Sequence, residues 1–245
     1  MDFRTDLAIE SKEMLDENNK GKKVEIPEVE VDEDQYEQGV KVTRIRVTGE
    51  TGSRIMGKPL GNYITIEVRD LIEGEEEVKT AVVRALTNEL SKLVKFHSKL
   101  KVLVIGLGNG MVTPDSLGPA TVSKVKVTRH MFIITGAEED DDVGCVSALI
   151  PGVMYTTGME SSELIRGAVD ITKPEVVIAV DALAARNAER ISSTIQITDT
   201  GISPGAGTGN MRKDLTEKSL GTKVVAIGVP TVIDSKTLIL DNLAG

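Results

Sequence analysis

Three kinds of hydrophobic spacing alternate along this chain, and one stretch has none. Continuous, largely β-branched runs at 102–105 (VLVI) and 174–180 (PEVVIAV) suit strands buried on both faces. The stretches 40–47 (VKVTRIRV) and 62–68 (NYITIEV) alternate apolar with polar residues, the period of a strand with one solvated face. They predict an antiparallel pair joined by a Gly/Pro-containing loop. From 73 to about 99, Val78, Val82, Leu86, Leu90, Leu93 and Phe96 recur at helical spacing. Glu75, Glu76 and Glu77 favour the amino end of that helix through its dipole. Residues 1–38 lack such order beyond a short helix near 7–15, and 28–34 (EVEVDED) reads as a solvated acidic arm.

The remaining pattern predicts a helix from Ser116, an acidic loop at 136–142, and a strand over 143–153. A helix over 161–172 follows, with Ser161 or Ser162 as its cap. The strand that ends on Asp181 leads to a short helix through Arg190, then to strands at 193–198 and 223–229. A glycine-rich loop, 201–210, and a short helix near 213–220 separate those two strands, and another helix starts near the last residue. This alternation predicts an α/β, three-layer fold: a central, mostly parallel but mixed sheet flanked by helices, plus the strand pair near the amino end. The organisation expected is an acidic arm over 1–38 and a single α/β domain over 39–245.

Chemistry concentrates where two of the buried runs end. After the first run come glycines 106, 108 and 110, then Thr113-Pro114-Asp115, a helix-start signature. The second run ends on Asp181. If the two strands are parallel neighbours, both carboxylates emerge at one sheet edge, where ligands collect in open α/β folds. Two carboxylates so placed suit general acid/base work on water. Each aspartate alone could instead cap the helix expected after it.

Composition narrows the alternatives. The chain has 245 residues, 40% hydrophobic and only 2% aromatic, so its core rests on aliphatic side chains. A formal net charge of -9 disfavours nucleic acid as a direct partner. The single Cys145 suits a reducing compartment and, inside an apolar strand, reads as a small buried hydrophobe. The first ten residues are charged and do not read as a signal peptide; no apolar stretch has the length of a membrane span. An intracellular, cytoplasmic protein is expected.

Other motifs are weaker. The spacing in IGLGNG is G-x-G-x-G, not the dinucleotide-binding G-x-G-x-x-G. Gly201-Ile-Ser203-Pro-Gly205 matches a nucleophile elbow in letters, but Pro204 has no N–H to give an oxyanion. The loop containing Gly201, Ser203, Gly205 and Arg212 remains a possible substrate loop. His97 and His130, with one cysteine, do not assemble a closed zinc site of usual composition. No cofactor or metal is expected.

The chain resembles the germination protease family of spore-forming bacteria. The resemblance runs through FRTDLAIE, GLGNGMVTPDSLGP, VTRHMF, ALIPGVMYTTGMESSELIRG, PEVVIAVDALAAR, TIQITDTGISPGAGTGN and VVAIGVPTVIDS. The shorter G-x-G-N pattern, followed by Asp and Gly, is similar to the hydrogenase-maturation peptidases. The family resemblance implies an atypical aspartic endopeptidase that starts the degradation of small acid-soluble spore proteins during germination. It implies catalytic roles for Asp115 and Asp181, and a zymogen that removes its own propeptide-like segment, 1–6, by a cut between Asp6 and Leu7. It further implies a homotetramer in the cytoplasm of the spore core. Family members usually continue past the position of Gly245, so a carboxyl-terminal portion is expected to be lacking here. Two rival expectations are a metal-dependent, maturation-type peptidase that enlists His130, and a truncated, non-catalytic peptide binder.

Overall fold

The computed structural model describes residues 5–68, 76–135, 143–203 and 213–244. Among these, eight strands form one mixed sheet in the order β1-β2-β3-β7-β8-β6-β4-β5, with helices flanking it. By compactness the chain divides into two units.

The first unit holds residues 1–90, 183–200 and 228–245. Its strands β1 (Val29–Gln35), β2 (Lys41–Val47), β3 (Gly61–Glu67) and β7 (Thr194–Thr198) pair antiparallel in that order. The expected pairing of 40–47 with 62–68 is therefore present as β2 on β3. Between them lies not a loop but a short helix, α2 (Glu50–Met56), closed by Gly57 in the left-handed region. Residues 28–34 depart from the arm expected of them: most join β1, an edge strand. Its side chains are solvated as expected, but its carboxylates face cations on β2: Asp32 and Asp34 meet Arg44, Glu33 meets Lys41 and Glu30 meets Arg46. Cross-strand charge pairing, invisible in either segment alone, gives this polar stretch its strand. Helix α1 (Ala8–Asn18) begins with Ala8, Ile9, Glu10 and Ser11 buried.

Helix α3 is described over Glu76–Leu93, and its buried residues are Ala81, Val82, Ala85 and Glu89. The expected stripe is thus displaced toward smaller residues, and Phe96, past the helix end, is 51% exposed. The fully buried Glu89 explains the shift: its carboxylate takes bonds from Arg44 Nε (2.8 Å), Arg44 Nη2 (2.7 Å) and the Tyr36 hydroxyl (3.0 Å). A polar group held this way belongs inside although hydropathy puts it outside.

The second unit holds residues 91–182 and 201–227. Here β4 (Lys101–Gly106) pairs parallel with β5 (Cys145–Leu149) and with β6 (Val176–Ala185). Its core joins Leu103, Ile105 and Leu107 to Ile165 and Val169 of helix α7 (Ser161–Thr172), with Val177, Ala179, Leu215 and Val224. Helices α4 (Leu117–Val122), α5 (Arg129–Thr135), α6 (Met154–Thr157) and α8 (Glu217–Leu220) complete it. Strand β8 (Lys223–Ile233) and helix α9 (Ser235–Ala244) end the chain's described part.

Several boundaries differ from expectation. β5 stops at Leu149, since Pro151 has no N–H for a ladder and Gly152 turns the chain at φ +69°. Ser161 is helical and donates its hydroxyl to the Gly152 carbonyl (2.8 Å), while Glu160 takes the cap position. Cys145, on the terminal strand, is half-buried. β6 continues to Ala185, four residues beyond its expected end at Asp181, so no helix directly follows Asp181, and the chain reaches Arg190 through a single 3-10 turn, Ala188–Arg190. Ala182–Ala185 has the composition of a helix, but partners distant in sequence hold it extended. The acidic run 136–142 lies outside the described residues.

Candidate active site

The register between β4 and β6 sets the geometry. Gly106 lies opposite Val180, and the Leu107 N–H donates to the Val180 carbonyl (2.8 Å), so the ladder reaches the position beside Asp181. Asp181 is 6% exposed, and its Oδ1 accepts from the Ala182 N–H (2.9 Å). Beyond β4 the chain folds back sharply. The Asn109 N–H donates to the Asp115 carbonyl (2.9 Å), and the Asp115 N–H donates to the Val112 carbonyl (2.8 Å). Asp115, half-buried, is the last residue of a 3-10 turn, Thr113–Asp115.

Two glycines permit this fold-back. Gly108 has φ +105°, and a Cβ there would press on the Asp115 carbonyl and come within 2.9 Å of its carboxylate Oδ1. Gly118 brings α4 against both strand ends: its Cβ would lie 2.5 Å from Leu107 N and 2.6 Å from the Val180 oxygen. The strands are parallel neighbours, as expected: Asp115 follows the carboxyl end of β4, and Asp181 lies within β6, one residue past the last position paired with β4. Neither takes a helix N-cap position: Asp181 lies within β6, and Ser116 precedes α4. β5 ends at the same rim, and the exposed residues that follow β4 and β5 there include Met111 (90%) and Tyr155 (97%).

Around Asp6 and Leu7 the first unit is densely bonded. The Asp6 N–H donates to the Ala184 carbonyl (2.9 Å), and Asp6 Oδ2 accepts from the Ala184 N–H (2.8 Å). The Asp6 carbonyl accepts from Lys58 Nζ (3.0 Å) and Gln196 Nε2 (3.2 Å). Leu7 and Ala8 are wholly buried, with the Ala8 N–H on Gln196 Oε1 (2.7 Å). The buried Glu10 carboxylate takes the N–H groups of Arg186 (2.7 Å) and Asn187 (2.9 Å) and the hydroxyl of Thr5. Burial pushes the Lys58 ammonium below the usual lysine range, against the pull of Asp6 and Glu10. Lys58 and Gln196 escaped the sequence reading. Gln196 left a signal, a lone amide in the wholly buried strand TIQIT, whereas Lys58 left none.

The other candidates scatter. Gly201 is buried, with φ +88°, where Ile202 bridges Leu215; Ser203 is exposed. Gly205 and Arg212 lie outside the described residues. His130 is exposed on α5, and His97 is 4.0 Å from Glu175 with both side chains half in solvent. Among the described residues no three His, Cys, Asp or Glu side chains converge as a metal ion requires. No helix among them is long and apolar enough to cross a membrane.

Comparison with known proteins gives the chain's family. The sequence model described as germination protease matches residues 8–244. The chain is 46% identical over 241 residues to the germination protease of Caldanaerobacter subterraneus subsp. tengcongensis, covering 98% of this chain and 72% of that one. It is 44% identical over 244 residues to the germination protease of Clostridium tetani, covering 99% and 74%. Against the germination protease of Bacillus cereus it is 44% identical over 243 residues, covering 98% and 66%. A match across nearly the whole chain, over the strands and loops that carry both aspartates, shows that the chain belongs to the germination protease family.

Proposed function

We propose that this protein is an aspartic endopeptidase in which Asp115 and Asp181 act as a pair on one water molecule. The observation that carries this reading is the β4–β6 register, which sets Asp181 beside Leu107 while Asp115 packs on Gly108. Two carboxylates at one rim share a proton more cheaply than both ionise. The ionised member takes a proton from water, whose oxygen attacks the scissile carbonyl. The protonated member bonds to that carbonyl, and a proton then passes to the leaving amine. Titration belongs to the pair rather than to either residue. Met111 and Tyr155, exposed on the same rim, are positioned to meet apolar side chains of a bound peptide.

The substrates we propose are small acid-soluble spore proteins, degraded in the spore-core cytoplasm by a homotetramer. The chain is a zymogen whose own bond between Asp6 and Leu7 is cut. In the structure that bond is shielded: its carbonyl is occupied by Lys58 and Gln196, and Leu7 is wholly buried. Processing therefore requires local opening of residues 5–7. Purified protein incubated with a spore-protein peptide, with and without a chelator, tests the proposal. Fragments cut after an acidic residue are expected in both samples. An intact peptide under every condition returns the chain to a non-catalytic binder, and cleavage abolished by chelation returns it to a metallopeptidase.

A further inference from the structure

Cutting Asp6–Leu7 makes two charged ends, and the structure already holds an opposite charge at each. Among the described residues, the Lys58 ammonium has as hydrogen-bond acceptors the neutral carbonyls of Thr5 (3.4 Å) and Asp6 (3.0 Å). Hydrolysis breaks the C–N bond, adds the water hydroxyl to the Asp6 carbon and leaves the proton on the Leu7 nitrogen. The oxygen that now accepts from Lys58 and Gln196 then belongs to a carboxylate, and a charge-assisted bond is about twice as strong as a neutral one. The Leu7 nitrogen donates to Thr5 Oγ1 (3.0 Å), which in turn donates to the buried Glu10 carboxylate, so one hydroxyl separates the new ammonium from an anion.

We propose that Lys58, Gln196 and the main chain of Ala184 form a product site, which binds a peptide whose carboxyl-terminal residue is acidic. The α-carboxylate rests on Lys58 Nζ and Gln196 Nε2. The side-chain carboxylate takes the Ala184 N–H, and the peptide's last N–H bonds to the Ala184 carbonyl, as Asp6 does now. Thr5 and Asp6 are half-buried while Leu7 and Ala8 are wholly buried, so removal of Thr5 and Asp6 opens a shallow cleft and leaves its floor intact. Capture of a peptide's terminal carboxylate is a recurring mode of recognition, and here a cation and an amide N–H would supply it. The site rests on the proposed cut after Asp6; its ligand is the released segment, or any cleaved product ending in Asp or Glu.

The test uses the self-processed protein, shown by mass to begin at Leu7. It is titrated with amino-terminally labelled Met-Asp-Phe-Arg-Thr-Asp and read by fluorescence anisotropy. The free-acid peptide binds at least tenfold more tightly than the same peptide with a carboxyl-terminal amide. In Lys58→Met that preference disappears. Equal binding of acid and amide by the unsubstituted protein overturns the product site while leaving the cut intact. A chain that keeps its precursor mass, or begins elsewhere, overturns the cut. The acid–amide comparison needs no variant, so misfolding of Lys58→Met does not shield the proposal.

Discussion

Gly118→Ala tests directly how the aspartate rim is built. A new Cβ would lie 2.6 Å from the Val180 carbonyl oxygen, 2.5 Å from Leu107 N, and closer still to the Leu107 carbonyl. A carbon needs about 3.3 Å from a carbonyl oxygen, so α4 and the strand ends must separate by about 1 Å. Every clashing atom is backbone, and no side chain can swing away. Overpacking of this kind costs about 2–3 kcal/mol, a fall of roughly 1 M in the urea midpoint. The displacement also moves the Asp115 turn relative to Asp181, and a misplacement of about 1 Å can cost roughly 100-fold in rate. Gly110→Ala is the control: its Cβ meets only Pro119 Cβ, at 3.6 Å, so stability stays within about 0.5 kcal/mol. Urea unfolding and kcat/KM on one peptide substrate, measured for both variants, give the answer. Full stability and activity in Gly118→Ala, or equal damage from Gly110→Ala, would refute the packing argument.

Three further outcomes follow from buried polar groups. Glu10→Ala strips the acceptor from the N–H groups of Arg186 and Asn187 and should cost about 3 kcal/mol, read as a melting point lower by roughly 6–10 °C; a change below about 2 °C contradicts it. Glu89→Ala, which abandons Arg44 and the Tyr36 hydroxyl, should cost about 3 kcal/mol, whereas Asp34→Ala removes a 59% exposed partner of the same arginine and should cost under about 1 kcal/mol. Equal costs in chemical denaturation would show that burial does not set the difference. Tyr63 is pushed up to about 12 by burial, with the Thr200 hydroxyl opposing and Asp199 reinforcing. Its folded value lies above its unfolded value near 10, so its contribution is complete below pH 10 and is lost as pH rises toward 12, by about 2–3 kcal/mol. Tyr63→Phe should flatten the stability slope in that window, and an unchanged slope excludes Tyr63 as its source.

Local pattern carried the buried strands well, because 102–105 and 176–180 are apolar on both faces and admit few other readings. It also singled out Asp115, after a strand run and glycines, and Asp181, directly after a strand run, as candidates, because an acid at the end of an apolar run is a local signal. What it missed depends on residues far apart in the chain. β1 needs Arg44 and Lys41 across the ladder, and Glu89 lies inside only because Arg44 and Tyr36 meet it. Ala182–Ala185 reads as helix until Asp6, 178 positions away from Ala184, satisfies that residue's backbone. Lys58 was hidden for the same reason, since its partners Thr5 and Asp6 lie 53 and 52 positions away.

The pairing of Asp115 with Asp181 is tested most directly by kcat/KM for Asp115→Asn, Asp181→Asn and the double variant on one peptide substrate. An asparagine at 181 can still accept the Ala182 N–H through its Oδ1, so the fold should hold, with melting points within about 2 °C of the unsubstituted protein. If both residues serve one water as proposed, each single variant loses at least about 1,000-fold and the double variant is no worse than the singles. Activity within about tenfold of normal in either single variant, or losses that multiply in the double, would contradict a shared catalytic pair.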